Sequence, residues 1–209
     1  MRPYWLLLFV LTFFSCGPQK KNNDINGQVI LVSGSATVND VPAQVGAIVR
    51  YGDVVKTAED SILQITLEQK NVLQLSANSE FKYMVAAGDG LFELNKGILS
   101  AVLKNRQKVK EFRFETPTVT AGVRGTTLLL NVESEKRTYT CLCHGKLRLL
   151  PADKSDKALI EAYHHNANYY EQLGSRIQIS KSEMKYHDDS QQEALAQAIG
   201  ETINWSKAN

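Results

Sequence analysis

An all-β fold is the class this sequence predicts, and three observations predict it. Between residues 27 and 150 apolar side chains recur with a period close to two. Turn-forming residues (Gly34, Asn39-Asp40, Gly52-Asp53, Asn78, Gly88-Asp89-Gly90, Gly97 and Gly145) cut that stretch into short runs. No long stretch of helical periodicity precedes the C-terminal region.

Taken in order, Leu63, Ile65 and Leu67 alternate with Gln64, Thr66 and Glu68. Phe81, Tyr83 and Val85 then alternate with Lys82 and Met84, followed by Leu99, Ala101 and Leu103, and by Phe112 and Phe114 around Arg113. Each reads as a strand with one wet face. Leu63-Gln64-Ile65 and Leu73-Gln74-Leu75 lie ten residues apart, a hint of stacked short rungs. Past Pro151, the stretches 158–162, 169–170 and 176–180 supply candidate closing strands. Residues 190–205 carry the one helical pattern, with Leu195, Ile199, Thr202 and Ile203 as its stripe and Ser190…Glu193 at capping-box spacing. Gly200 interrupts it.

The N-terminus reads as an address. Arg2 and the apolar run 4–14, too short to span a bilayer, suit a signal peptide over 1–15. Ser15-Cys16 resembles a bacterial lipobox, which makes Cys16 the expected lipid anchor and 16–26 a polar tether. Each buried CH₂ of an acyl chain adds about 0.8 kcal/mol of membrane affinity. Lys and Arg total 24 against 22 Asp and Glu, so bulk charge argues against a nucleic-acid partner. The expected layout is leader 1–15, tether 16–26, β domain 27–150, and closing strands with a helix over 151–209.

The most specialised stretch is 116–127, T-P-T-V-T-A-G-V-R-G-T-T. Pro117 suits a strand entrance and Thr118, Val119 and Thr120 favour a pleated backbone. Gly122 and Gly125 mark a corner around Arg124, and Thr126 starts the next strand. A branched side chain at Gly125 is expected to damage folding if the corner takes a positive φ. Thr116-Pro117, Ala121-Gly122-Val123-Arg124-Gly125-Thr126 and Gly52-Asp53-Val54-Val55-Lys56-Thr57 together resemble the periplasmic FecR-type domain, over about half the chain. That resemblance implies a β-solenoid-like domain, with a β-sandwich or barrel as the alternative. In the family this domain relays a signal from an outer-membrane receptor to a sigma factor. With only residues 1–3 ahead of the apolar run, that role is not expected here.

One constellation carries candidate chemistry. Cys141 and Cys143 end an alternating strand and share a face, His144 falls on the other face, and His164-His165 follow about twenty residues later. Two thiolates with one or two imidazoles make a donor set for Zn(II) or copper. A strained disulfide in an oxidising compartment and inert packing stay open beside it. No G-x-S-x-G or H-E-x-x-H motif occurs, and no phosphate-cradling loop. The expectation is a non-enzymatic, lipid-anchored bacterial envelope protein with an envelope protein partner. The alternative is a metal-binding or metal-sensing protein using Cys141 and Cys143 with His164 or His165.

Overall fold

The computed structural model describes residues 25–86, 88–104, 109–123, 125–155 and 157–206, apart from the side chains at 89 and 110. The leader, Cys16 and Arg124 lie outside the described residues. In chain order the first strands are β1 (Gly27–Ser33), β2 (Ala36–Val38), β3 (Val41–Pro42), β4 (Ile48–Val49), β5 (Val54–Thr57), β6 (Ile62–Leu67), β7 (Asn71–Leu75) and β8 (Glu80–Ala86). They are followed by β9 (Gly88–Leu103), β10 (Val109–Glu115), β11 (Val119–Val123), β12 (Thr126–Ser134) and β13 (Arg137–Pro151). The C-terminal part adds β14 (Ala158–Ala162), β15 (Asn166–Leu173), β16 (Arg176–Ser182) and helix α1 (Asp189–Gln197). Among the described residues no helix is long and apolar enough to cross a membrane.

The strands form two sheets that share two long members. Sheet A runs β3-β2-β5-β8-β9-β10-β11-β13-β14, and sheet B runs β4-β1-β6-β7-β9-β12-β13-β15-β16. Strands β9 and β13 cross from one sheet to the other, and the crossings fall at Gly97 and Gly145. Both glycines hold positive φ, 81° and 108°. These two residues are therefore corners inside strands, where sequence reading places turns between strands. The ring β9-β12-β13-β11-β10 closes on itself as a five-stranded barrel.

All these pairings are antiparallel except β9 with β10. A solenoid would stack its rungs in parallel, so the barrel-or-sandwich alternative describes the fold. The ten-residue echo is a hairpin: Leu63 faces Leu75, Gln64 faces Gln74 and Ile65 faces Leu73. Gln64 Nε2 donates to Gln74 Oε1 at 2.8 Å across the ladder.

The inner faces of the two sheets make one core. Leu63, Leu73, Leu75, Leu99 and Leu128 meet Phe81, Tyr83, Phe92, Phe112 and Phe114, all fully or almost fully buried. The alternating residues named from sequence are the buried ones, because burial follows the pleat. β12 is buried on both faces along 126–132, which explains why Leu128, Leu129 and Leu130 do not alternate with polar residues. Leu128 and Leu130 point to the core, while Leu129 joins Tyr139, Cys141, Cys143 and Tyr169 on the outer side of sheet B.

Most of the specialised motif residues serve turns. Thr116 closes the β10–β11 hairpin: its Oγ accepts from Val119 N–H at 3.1 Å and donates to Val119 O at 2.7 Å. Pro117 sits in that turn, where no ladder donor is required. Gly122 leaves room for Glu111, whose carboxyl would lie 3.2 Å from a Cβ there. Gly125 has φ +69° and Thr126 Oγ donates to Lys146 O at 2.8 Å. In the upstream motif, Asp53 accepts from Arg50 N–H and Asn39 Nδ2, so Gly52-Asp53 is a locked turn.

Helix α1 starts one residue earlier and ends eight earlier than its sequence pattern suggests. Asp188 is the N-cap, and the capping box pairs it with Gln191 instead of Ser190 with Glu193. Gly200, at φ +67°, turns the chain past the helix end. Leu195 and Ile203 are buried while Thr202 is exposed. The helix lies on the outer face of sheet B over β7 and β9.

Candidate metal centre

Cys141 and Cys143 lie on the outer face of sheet B, in the half of β13 between β12 and β15. Both are fully buried. Their sulfurs stand 3.9 Å apart as free thiols, which sets aside the disulfide in this structure. His165, one residue before β15, brings Nδ1 to 3.4 Å from Cys141 Sγ. His187, between β16 and α1, brings Nε2 to 3.2 Å from Cys143 Sγ. The four ligand atoms all lie within 4.8 Å of one another.

Those separations match a tetrahedral ion. Zn–S bonds of about 2.3 Å and Zn–N bonds of about 2.0–2.1 Å put tetrahedral S···S edges at about 3.8 Å and S···N edges at about 3.5 Å. The observed contacts agree within a few tenths of an ångström. Each imidazole also has its outer nitrogen fixed. His165 Nε2 donates to Asp189 Oδ1 at 2.6 Å, and His187 Nδ1 donates to the carbonyl of Lys185 at 2.9 Å. Carboxylate and carbonyl can only accept, so the outer nitrogen of each ring carries a proton, and in the neutral ring the lone pair of the inner one faces the sulfurs. Metal-binding histidines are commonly oriented in this way.

The electrostatics run the same way. The hydrogen bond from Cys143, followed by those of the two imidazoles, pulls the Cys141 thiol far below the ordinary thiol range against the cost of burial. Burial, reinforced by the neighbouring Cys141, pushes Cys143 up. At His165 burial opposes the charge, but the hydrogen bonds to Cys141 and Asp189 prevail and raise its pKa. The hydrogen bond from His165 lowers Asp189.

The backbone is bent to deliver the imidazoles. His165 has φ +44°, and Tyr186, just ahead of His187, has φ +68°. Bulky residues avoid this region unless their surroundings hold them there, and such strain concentrates at ligand clamps. Here Tyr186 OH donates to Glu133 and meets Tyr169 OH, which anchors the turn.

Of the sequence-named histidines, His165 joins the cysteines and His164 does not. His164 is exposed and donates to the second Asp189 oxygen at 2.8 Å, so it helps hold the carboxylate that orients His165. His144 departs from the strand-alternation expectation. The β12–β13 ladder slips between Thr127↔His144 and Leu128↔Leu142, and the His144 ring packs edge-on to Trp205 at 6.2 Å. Sequence reading misses His187 because 44 residues separate it from Cys143 and only the fold joins them. One signal points toward it: all four histidines of the chain follow residue 143.

Fold and cluster together define an all-β scaffold with a buried thiol–imidazole cluster on one outer face. Residues 53–148 match the family model described as FecR protein, and the chain carries a FecR-family domain there. Cys141 and Cys143 fall within the matched segment, and His165 and His187 beyond it. Among solved structures, crystal structures of a proposed anti-sigma factor from Parabacteroides distasonis ATCC 8503, at 1.65 and 2.50 Å resolution, are similar in fold. Each has a TM-score of 0.51 and 14% identity, covering 61% of this chain and 59% of that chain. Comparison with curated proteins gives no match.

Proposed function

We propose that this is an exported, non-enzymatic protein of the bacterial envelope, anchored by a lipid on Cys16, whose FecR-type scaffold binds one tetrahedral metal ion. Cys141, Cys143, His165 and His187 are its ligands, and a two-sulfur, two-nitrogen tetrahedral set suits Zn(II), with copper as the competitor. The observation that carries this reading is the set of one sulfur–sulfur and two sulfur–nitrogen separations, which lie within a few tenths of an ångström of three of the six edges of such a site. The fixed outer nitrogens of both histidines support it. The leader 1–15 and tether 16–26 supply export and attachment in this reading, and 151–209 completes the site begun by the β domain 27–150.

Native mass spectrometry with elemental analysis of the purified protein tests it. One zinc per chain is expected, lost in a Cys141→Ser/Cys143→Ser variant that keeps the parent's β-sheet circular dichroism. Free thiols with no ion bound after incubation with Zn(II) and with Cu(I) under reducing conditions would overturn the assignment. A mass of the N-terminal peptide without acyl chains on Cys16 would separately remove the lipid anchor.

A second reading, binding of an envelope protein partner, is favoured by the uncovered strand β16. Among the described residues it ends sheet B and pairs only with β15; Asp153 holds its Ile177 N–H, and Ile179 stays exposed. Such an edge accepts an added strand.

A further inference from the structure

We propose that a zinc ion in this centre latches the C-terminal segment 187–205 across the outer face of sheet B, so that metal occupancy controls whether that face is covered. This rests on the metal-binding reading above and concerns what the ion regulates.

The ligands come from two sources. Cys141 and Cys143 belong to β13 of the sheet frame, and His165, one residue before β15, is tied to that strand by its N–H to Cys143 O at 3.1 Å. His187 lies past the last strand, at the root of the helical segment. Asp189 is both the first residue of α1 and the acceptor that orients His165. An ion that uses all four ligands therefore binds best when the segment is docked. Thermodynamic reciprocity then makes docking tighter when the ion is bound.

The segment is also held by Trp205, whose ring packs against His144, His164 and His165, and by the His164–Asp189 contact at 2.8 Å; its other attachments are slight. Helix α1 has nine residues, fewer than a helix needs to persist alone in water. Leu195, Ala196 and Ile203 bury a small patch against Val72 of β7 and Val102 of β9. The Lys70–Glu201 pair, 2.7 Å, is half-exposed at the lysine, and solvent-facing pairs contribute little. Between segment and sheet lies a polar cavity of about 90 Å³, lined among others by Gln74, Ser76, Ser100, His187 and Gln192. The buried Oε1 of Gln192 has no hydrogen-bond partner among the described residues. The firm ties stand before the latch, where Tyr139 OH donates to Glu183 O and accepts from Lys185 N–H. Tyr186, at φ +68°, is the hinge between the tied and the latched parts.

Hydrogen exchange on the full chain, with and without zinc chloride, reads the cover directly, and native mass spectrometry of the same samples counts bound zinc. Expected is slower exchange over 190–203 with zinc, while the β6–β7 hairpin stays unchanged. A Leu195→Ser/Ile203→Ser variant, whose substituted residues touch no ligand, should bind zinc at least about fivefold more weakly than the parent. If zinc binds one per chain while exchange over 190–203 stays the same and the variant binds like the parent, the latch is wrong and the metal centre stands. If no zinc binds, both readings fall.

Discussion

Two glycine–serine pairs show how single residues set the corners of this fold. Gly34 and Gly97 both hold positive φ, and each is tucked against a serine, Ser61 and Ser79. In each pair the serine Oγ accepts the N–H of the residue after the glycine, Ser35 at 2.9 Å and Ile98 at 2.8 Å. A Cβ on Gly97 would sit 2.6 Å from the Ser79 Cα, so the backbone of the β9 corner would have to move. Gly125 differs: its φ is +69°, but among the described residues nothing lies within 4 Å of where a Cβ would stand. Gly125→Ala should therefore cost only the left-handed backbone preference, roughly 1–2 kcal/mol. Gly97→Ala should cost clearly more, and urea melts of the two variants compare them directly. Equal losses would refute the corner's dependence on close contact with Ser79.

At the scale of elements, the link between β13 and β14 is fastened to β16 by one carboxylate. Asp153 accepts from Ser155 Oγ at 2.6 Å, from Ser155 N–H at 3.0 Å and from Ile177 N–H at 2.7 Å. The Ser155 hydroxyl, then the Ile177 amide, lower its pKa below the ordinary aspartate value. A depressed carboxylate contributes its stabilisation above its unfolded value, about 3.9, and loses it as pH falls through the folded value. Amide exchange at Ile177, corrected for its intrinsic pH dependence, should accelerate below about pH 4 in the parent. In Asp153→Asn that acid step should be missing; its persistence would assign the step elsewhere. Sequence is a good guide to these elements where periodicity is local. Strand β14 is legible to its exact ends, and Leu63, Ile65 and Leu67 are legible as a buried face. It is a poor guide to the capping box, because Asp188 and Ser190 are both good caps and only the backbone at Asp188, extended at φ −131°, chooses between them.

For the whole molecule, the core between the two sheets is organised around Phe92. Its ring stacks on Phe114 at 4.9 Å and Phe112 at 6.0 Å and meets Tyr83 edge-on at 5.6 Å. It belongs to the half of β9 inside sheet A, so it packs between neighbours on both sides. Phe92→Ala should destabilise the protein by about 3–5 kcal/mol, read as a lowered denaturation midpoint. A loss below about 1 kcal/mol would mean that the sheets close over the gap without it.

The sequence by itself determined the all-β class, the buried face of each alternating strand, the punctuating glycines and the pairing of two cysteines on one strand face. Those features depend on neighbours two to four residues apart, and the pleat makes them readable. Only the tertiary structure decided that the strands pair antiparallel, β9 with β10 excepted, through shared, bent strands, because the ten-residue echo of Leu63–Ile65 in Leu73–Leu75 fits a hairpin and a stacked rung equally well. It also decided that His187 joins Cys143 and that His164 turns to Asp189, since a site closed across 44 residues leaves no spacing to read.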